Sequence, residues 1–104
     1  MNIKEIARQV QKAQSQAQKI QEDLAKETVE GTAGGGAVKV KLRCDYLVEA
    51  ISIDPELLDP KEKEMVESLV AAGVTDAIKK VQTRTAEAMS KVMSGAMSGL
   101  PLSL

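Results

Sequence analysis

Residues 3 to 24 constrain the chain most. Their apolar positions are Ile3, Ile6, Val10, Ala13, Ala17, Ile20 and Leu24. The steps between them alternate 3 and 4, which is a heptad pattern held over three repeats and predicts an amphipathic helix with a narrow seam. Gln9, Gln14, Gln16 and Gln21 flank that seam. None carries a charge, so two copies of the helix could lie together without like-charge repulsion. Lys4, Arg8, Lys12, Lys19 and Lys26 recur at spacings of 4, 4, 7 and 7. They fall on one ridge of a 3.6-residue helix. The seam requires a packing partner, in the same chain or another. The lysine ridge is either a solvated face or a surface for a polyanion.

Size sharpens the need for a partner. The chain has 104 residues, a single domain spanning 1–104, with no Phe, no Trp and Tyr46 as its only aromatic residue. Its core must be built from Ile, Leu, Val, Ala and Met. Short chains with small aliphatic cores have little surplus stability, and a second subunit is the usual remedy. Ile3, Ile6, Val10, Ala13, Ala17 and Ile20 are accordingly the expected homodimer interface. A lone Cys44 excludes an internal disulfide and fits a reducing compartment. No apolar run is long enough to cross a bilayer, and charged residues interrupt the N-terminal region where a signal peptide would need its apolar stretch. The expectation is a cytoplasmic protein with no membrane partner.

Along the chain, Asn2 is a suitable cap for a first helix running to about Lys26. Thr28-Val29-Glu30 reads as a short strand closed by Gly31, and Thr32 to Gly36 as a glycine-rich turn. From Val38 to Cys44 apolar residues alternate with Lys39, Lys41 and Arg43, a half-buried strand with a cationic outer face. A turn at Asp45-Tyr46 leads to a third strand, Leu47 to Ile53. There Glu49 falls on the same face as Ile51 and Ile53, so the alternation is broken. Strands this close in sequence form antiparallel hairpins. Asp54-Pro55 begins one capped turn. Asp59-Pro60-Lys61-Glu62 begins the second helix with a cap, a proline at its first position and the spacing of a capping box. Its apolar stripe is broad to Val81 and thins afterwards, so its end should project. Met89, Met93 and Met97 repeat every four residues, and 94–104 is expected to fray. The fold class is α+β: α-β-β-β-α, a three-stranded antiparallel sheet and two long helices in a two-layer chain.

The chemistry for catalysis is missing. There is no histidine, and one cysteine cannot build a thiolate metal site. Gly34–Gly36 runs into a strand, not into the helix N-terminus that a phosphate loop needs. Asp54 and Asp59 are accounted for as caps, and Glu62, Glu64 and Glu67 suit a helix start. The reading is a binding or scaffolding protein, not an enzyme, with no cofactor, metal or small-molecule substrate.

Charge is segregated beneath a net value of −1. Residues 1–20 hold Lys4, Arg8, Lys12 and Lys19 against Glu5. Residues 79–104 hold Lys79, Lys80, Arg84 and Lys91 against Glu87. The stretch 44–78 carries nine acids against Lys61 and Lys63. Basic ends on an acidic middle are compatible with a polyanion partner despite the mildly acidic pI.

Gly36-Ala37-Val38-Lys39-Val40, the Ile51-Ser52-Ile53-Asp54-Pro55-Glu56-Leu57-Leu58 exit and Leu69-Val70-Ala71-Ala72-Gly73-Val74-Thr75-Asp76-Ala77 carry a resemblance. Together with the Gln/Lys-rich first helix and the Met/Gly/Pro-bearing tail, they make the chain resemble the YbaB/EbfC family of bacterial nucleoid-associated proteins over nearly its whole length. The resemblance implies a tight homodimer with helices between two three-stranded sheets and projecting helical arms. It also implies double-stranded DNA binding with low sequence specificity, and a role in organising the nucleoid or in gene expression. The family's contacts are attributed to the two long helices, which here nominates Lys4, Arg8, Lys12, Lys19, Lys79, Lys80, Arg84 and Lys91. The strand face of Lys39, Lys41 and Arg43 is the alternative DNA surface. The alternative function is a dimeric protein-interaction scaffold without a nucleic-acid role, supported by the acidic pI and the methionine row.

Overall fold

A computed structural model describes residues 2–98. The elements run α1 (Ile3–Lys26), β1 (Thr28–Ala33), β2 (Val38–Arg43), β3 (Val48–Ile53) and α2 (Lys63–Ser98), with single 3₁₀ turns at Gly34–Gly36, Pro55–Leu57 and Pro60–Glu62. The three strands form one antiparallel sheet in the order β1-β2-β3. The expected α-β-β-β-α architecture is the observed one.

Each boundary has a local cause. The Asn2 side chain accepts a hydrogen bond from the Lys4 N–H (3.1 Å), satisfying one of the donors that the first turn of α1 leaves free. Asp54 accepts from the Glu56 N–H and Asp59 from the Lys61 N–H, both at 3.0 Å, with Pro55 and Pro60 at the first helical positions. Among the described residues Glu62 makes no reciprocal side-chain bond to Asp59, so a single cap starts the second helix, not a capping box. Gly34, Gly35 and Gly36 all have positive φ, a conformation that side chains disfavour, and this sharp turn reverses the chain between β1 and β2. α2 continues to Ser98, through the start of the segment expected to fray; residues 99–104 lie outside the described residues.

Gly31 does not close β1, as its sequence context suggests. It sits in mid-strand opposite Val40 and is buried. A Cβ there would collide with the backbone carbonyl of Gly73 and with the backbone N and Cβ of Ala77. From the other side, a Cβ on Gly73 would stand 3.1 Å from Val40 Cγ2 and 3.4 Å from Val38 Cγ1. So α2 crosses the sheet with its backbone nearly touching β1, and small residues on both elements permit it. Val38, Val40, Leu42, Ala77 and Val81 form the buried cluster around this crossing. Each fully buried Val or Leu contributes about 1.5–3 kcal/mol.

The interrupted alternation of β3 also resolves. Val38 pairs with Ile53 and Val40 with Ile51, but Leu42 pairs with Val48, one residue out of step. Glu49 is the extra residue of this bulge, and its carboxylate reaches Lys41 at 3.6 Å on the outer face of the sheet. Val48 and Ile51 thereby share the inward face with Leu42 and Val40, yet both remain 46% exposed. α2 lies over β1 and β2 and scarcely touches β3.

The helices leave the sheet together. Ala13, Gln16, Ala17 and Ile20 of α1 line a groove with Arg84, Ala88, Lys91 and Val92 of α2, the two helices running antiparallel. α1 has no buried residue. Its free end exposes Ile3 (81%), Ile6 (43%) and Val10 (51%). The radius of gyration, 20.6 Å, far exceeds the roughly 13 Å of a compact chain this size.

Two outcomes follow. Gly31→Ala should cost about 3 kcal/mol, read by urea denaturation, because neither colliding backbone can yield cheaply. Asp76 on α2 accepts from the Thr32 N–H (2.9 Å) and pairs with Lys80 (3.2 Å). These bonds, the Thr32 N–H first, hold its pKa below the ordinary carboxylate value. A depressed folded pKa adds stability that is present above the unfolded pKa and lost as pH falls through the folded one. Asp76→Ala should therefore lower Tm at pH 7, and the gap to the parent should close in thermal scans carried progressively into acid.

Candidate nucleic-acid interface

The nominated cations occupy three surfaces, not one. On α1, Lys4, Arg8, Lys12 and Lys19 are all exposed and form no ion pair among the described residues. At 100° per residue their ridge lies almost opposite the seam that turns Ala13, Ala17 and Ile20 toward α2. Lys4 and Lys19 are 15 positions apart, so the ridge is about 22 Å long at 1.5 Å per residue. That is roughly two-thirds of the ~34 Å turn of a DNA duplex. The same helix thus presents apolar atoms on one side and uncompensated positive charge on the other.

The α2 cations are placed differently. Lys79 stands on the side of α2 turned away from the sheet, and Lys91 borders the groove facing α1. Arg84 grips Glu27 in a two-pronged ion pair, Nε to Oε2 at 2.7 Å and Nη2 to Oε1 at 3.0 Å. The Glu27 carboxylate raises the Arg84 pKa further still. Lys80 donates to the Glu30 carbonyl (2.8 Å) and pairs with Asp76. Two of the four nominated α2 cations are therefore already engaged by the same molecule. Their partners lie 50 and 57 residues away in sequence, apart from Asp76, and spacing along one helix carries no signal of them.

The alternative sheet surface is similarly compensated. Lys41 meets Glu49, and Arg43 meets Asp45 at 2.8 Å while also donating to the Ala25 carbonyl (3.4 Å). Lys39 is the exposed cation of that face without an ion pair among the described residues. Unpaired charge is thus concentrated on α1.

Cys44 is half-buried, and burial, reinforced by the Glu27 carboxylate, raises its thiol pKa away from the reactive thiolate. No group of three His, Cys, Asp or Glu side chains among the described residues could hold a metal ion. No described helix is long and apolar enough to cross a membrane.

Comparison with known proteins points to nucleic acid. A nucleoid-associated protein of Chloroflexus aurantiacus is 41% identical over 100 residues, covering 96% of this chain and 99% of its own. Another nucleoid-associated protein, from Pelotomaculum thermopropionicum, is 41% identical over 91 residues, 88% of this chain and 87% of its own. The crystal structure of an uncharacterized protein from Helicobacter pylori has the same fold at 19% identity, with a TM-score of 0.66 over 95% of this chain and 99% of that one. The sequence pattern of the YbaB/EbfC DNA-binding family matches residues 1–97. On that match and those relatives, this chain belongs to the YbaB/EbfC DNA-binding family.

Proposed function

We propose that the protein binds double-stranded DNA as a homodimer, with low sequence specificity, through the outer ridge of α1. In this reading it works in the cytoplasm as a nucleoid-associated protein, the name its relatives carry, organising the nucleoid and thereby influencing gene expression. The observation that carries it is the row of Lys4, Arg8, Lys12 and Lys19, exposed and without carboxylate partners among the described residues. Lys79 and Lys91 supply further charge from α2. Lys80 and Arg84 contribute little, since Asp76 and Glu27 offset them locally.

Support for the homodimer comes from apolar surface that the chain leaves uncovered. Ile3, Ile6 and Val10 continue the α1 seam past the groove, and Val48 and Ile51 continue the inner face of the sheet past α2. Ridge and seam occupy opposite sides of α1, so a second copy could cover the seam while the cations stay accessible. The α1 cations are long, flexible and suited to phosphate oxygens, with few side chains placed to read base edges, hence the low specificity.

Binding of this kind releases condensed counterions and weakens steeply with salt. If about six phosphates are met, affinity should fall roughly a thousandfold between 50 and 200 mM salt. Changing Arg8 and Lys12 together to Gln should weaken binding and flatten the log–log salt slope by roughly 0.9 for each phosphate no longer neutralised, read by fluorescence anisotropy on a random duplex. The pair Lys39→Gln and Lys41→Gln should leave the slope unchanged. A flattened slope in that second variant would move the interface to the sheet. The scaffold reading, favoured by the exposed Met89 and Met93, expects a folded dimer that does not bind the duplex at 50 mM salt.

A further inference from the structure

Glu27 is the residue at which α1 ends and β1 begins. Its N–H closes the last turn by bonding the Leu24 carbonyl, and its own carbonyl accepts from the Cys44 N–H at 2.9 Å, tying the junction to the sheet. Its side chain is then held by Arg84 from α2 in the two-pronged pair already described. From β2, Arg43 reaches the Ala25 carbonyl on the last turn of the same helix. Beyond this junction the helices meet along an open groove whose apolar lining is Ala13, Ala17, Ile20, Ala88 and Val92, and no α1 residue is buried in it. Such contacts resist rotation poorly. Within one chain, the polar contacts that fix the direction of α1 are those at its base.

We propose that Arg84 is a positioning residue, not a phosphate contact: with Glu27 it braces the α1 arm so that the Lys4–Lys19 ridge meets DNA at a fixed angle. The inference deepens the DNA-binding reading and rests on it. Leverage makes the brace consequential. Lys4 lies 23 positions from Glu27, about 34 Å along the helix. A swing of about 10° at the junction moves it by roughly 6 Å, more than a hydrogen bond can follow. A partly exposed ion pair adds little to global stability, but its planar two-bond geometry restricts orientation.

The two roles predict opposite signs for one substitution. If Arg84 were a phosphate contact held back by Glu27, Glu27→Ala would free it, tightening DNA binding and steepening the salt slope. As a brace, Glu27→Ala removes a negative charge yet weakens binding, by about tenfold, with the slope unchanged. Arg84→Ala should have the same effect, and the double substitution should be no worse than either alone, because all three variants remove the same ion pair. Hydrogen exchange at the amides of residues 24–28 should accelerate in each variant, without DNA present. Glu27→Gln, which keeps the shape of the side chain, serves if the alanine variant does not fold. Unchanged or tighter binding in Glu27→Ala, a steeper slope, or unaltered exchange at the junction would overturn the proposal. If the parent fails to bind the duplex at 50 mM salt, the DNA reading falls, and the exchange rates alone decide whether Glu27 and Arg84 brace the arm.

Discussion

The near-contact of two backbones at Gly31, Gly73 and Ala77 is the constraint on which the structure depends. A helix packed on a sheet through ordinary side chains stands well off it, and a chain without Phe or Trp has little bulk to fill the gap. Here the gap is removed. Because α2 can settle directly onto β1, the small side chains Val38, Val40, Ala77 and Val81 reach one another and exclude water. The crossing also fixes where α2 runs next, and hence where Arg84 meets Glu27 and where Asp76 meets the Thr32 N–H.

Charge placement follows from that geometry. Folding brings carboxylates of the α1–β1 connection and of α2 against the basic residues of α2, and those of the β2–β3 hairpin against the basic residues of β2. α1 is too far out for such pairing over most of its length. Its cations keep their full field because the arm leaves the body, so the acidic middle of the chain and the basic arm are separated in space as well as in sequence. A net charge of −1 is thus a poor guide to what the surface can attract.

Much of the fold is legible in the sequence, for physical reasons that can be named. Caps at Asn2, Asp54 and Asp59 are local, as is the alternation in β2, and both survive folding unchanged. The α1 heptad likewise needs only periodicity. Gly31 misleads because a glycine after a β-prone run has two meanings, an end or a close approach, and only the partner surface distinguishes them. Glu49 looks like a charge on the buried face because alternation presumes no bulge. Lys80 and Arg84 fall on one ridge with Lys91, as spacing requires, but their partners Glu30 and Glu27 arrive from the other end of the chain. Periodicity identifies which residues share a face. It is silent on what the fold will set against that face.

That no residue of α1 is fully buried has a thermodynamic consequence. In an isolated chain the helical state of this segment draws on its cap, on Ala, Gln, Lys and Glu as good helix formers, and on a shallow groove, all of them small terms. Whatever covers Ile3, Ile6 and Val10 stabilises the arm by mass action, so its order becomes a function of concentration. The ridge is then only as rigid as the company its opposite side keeps.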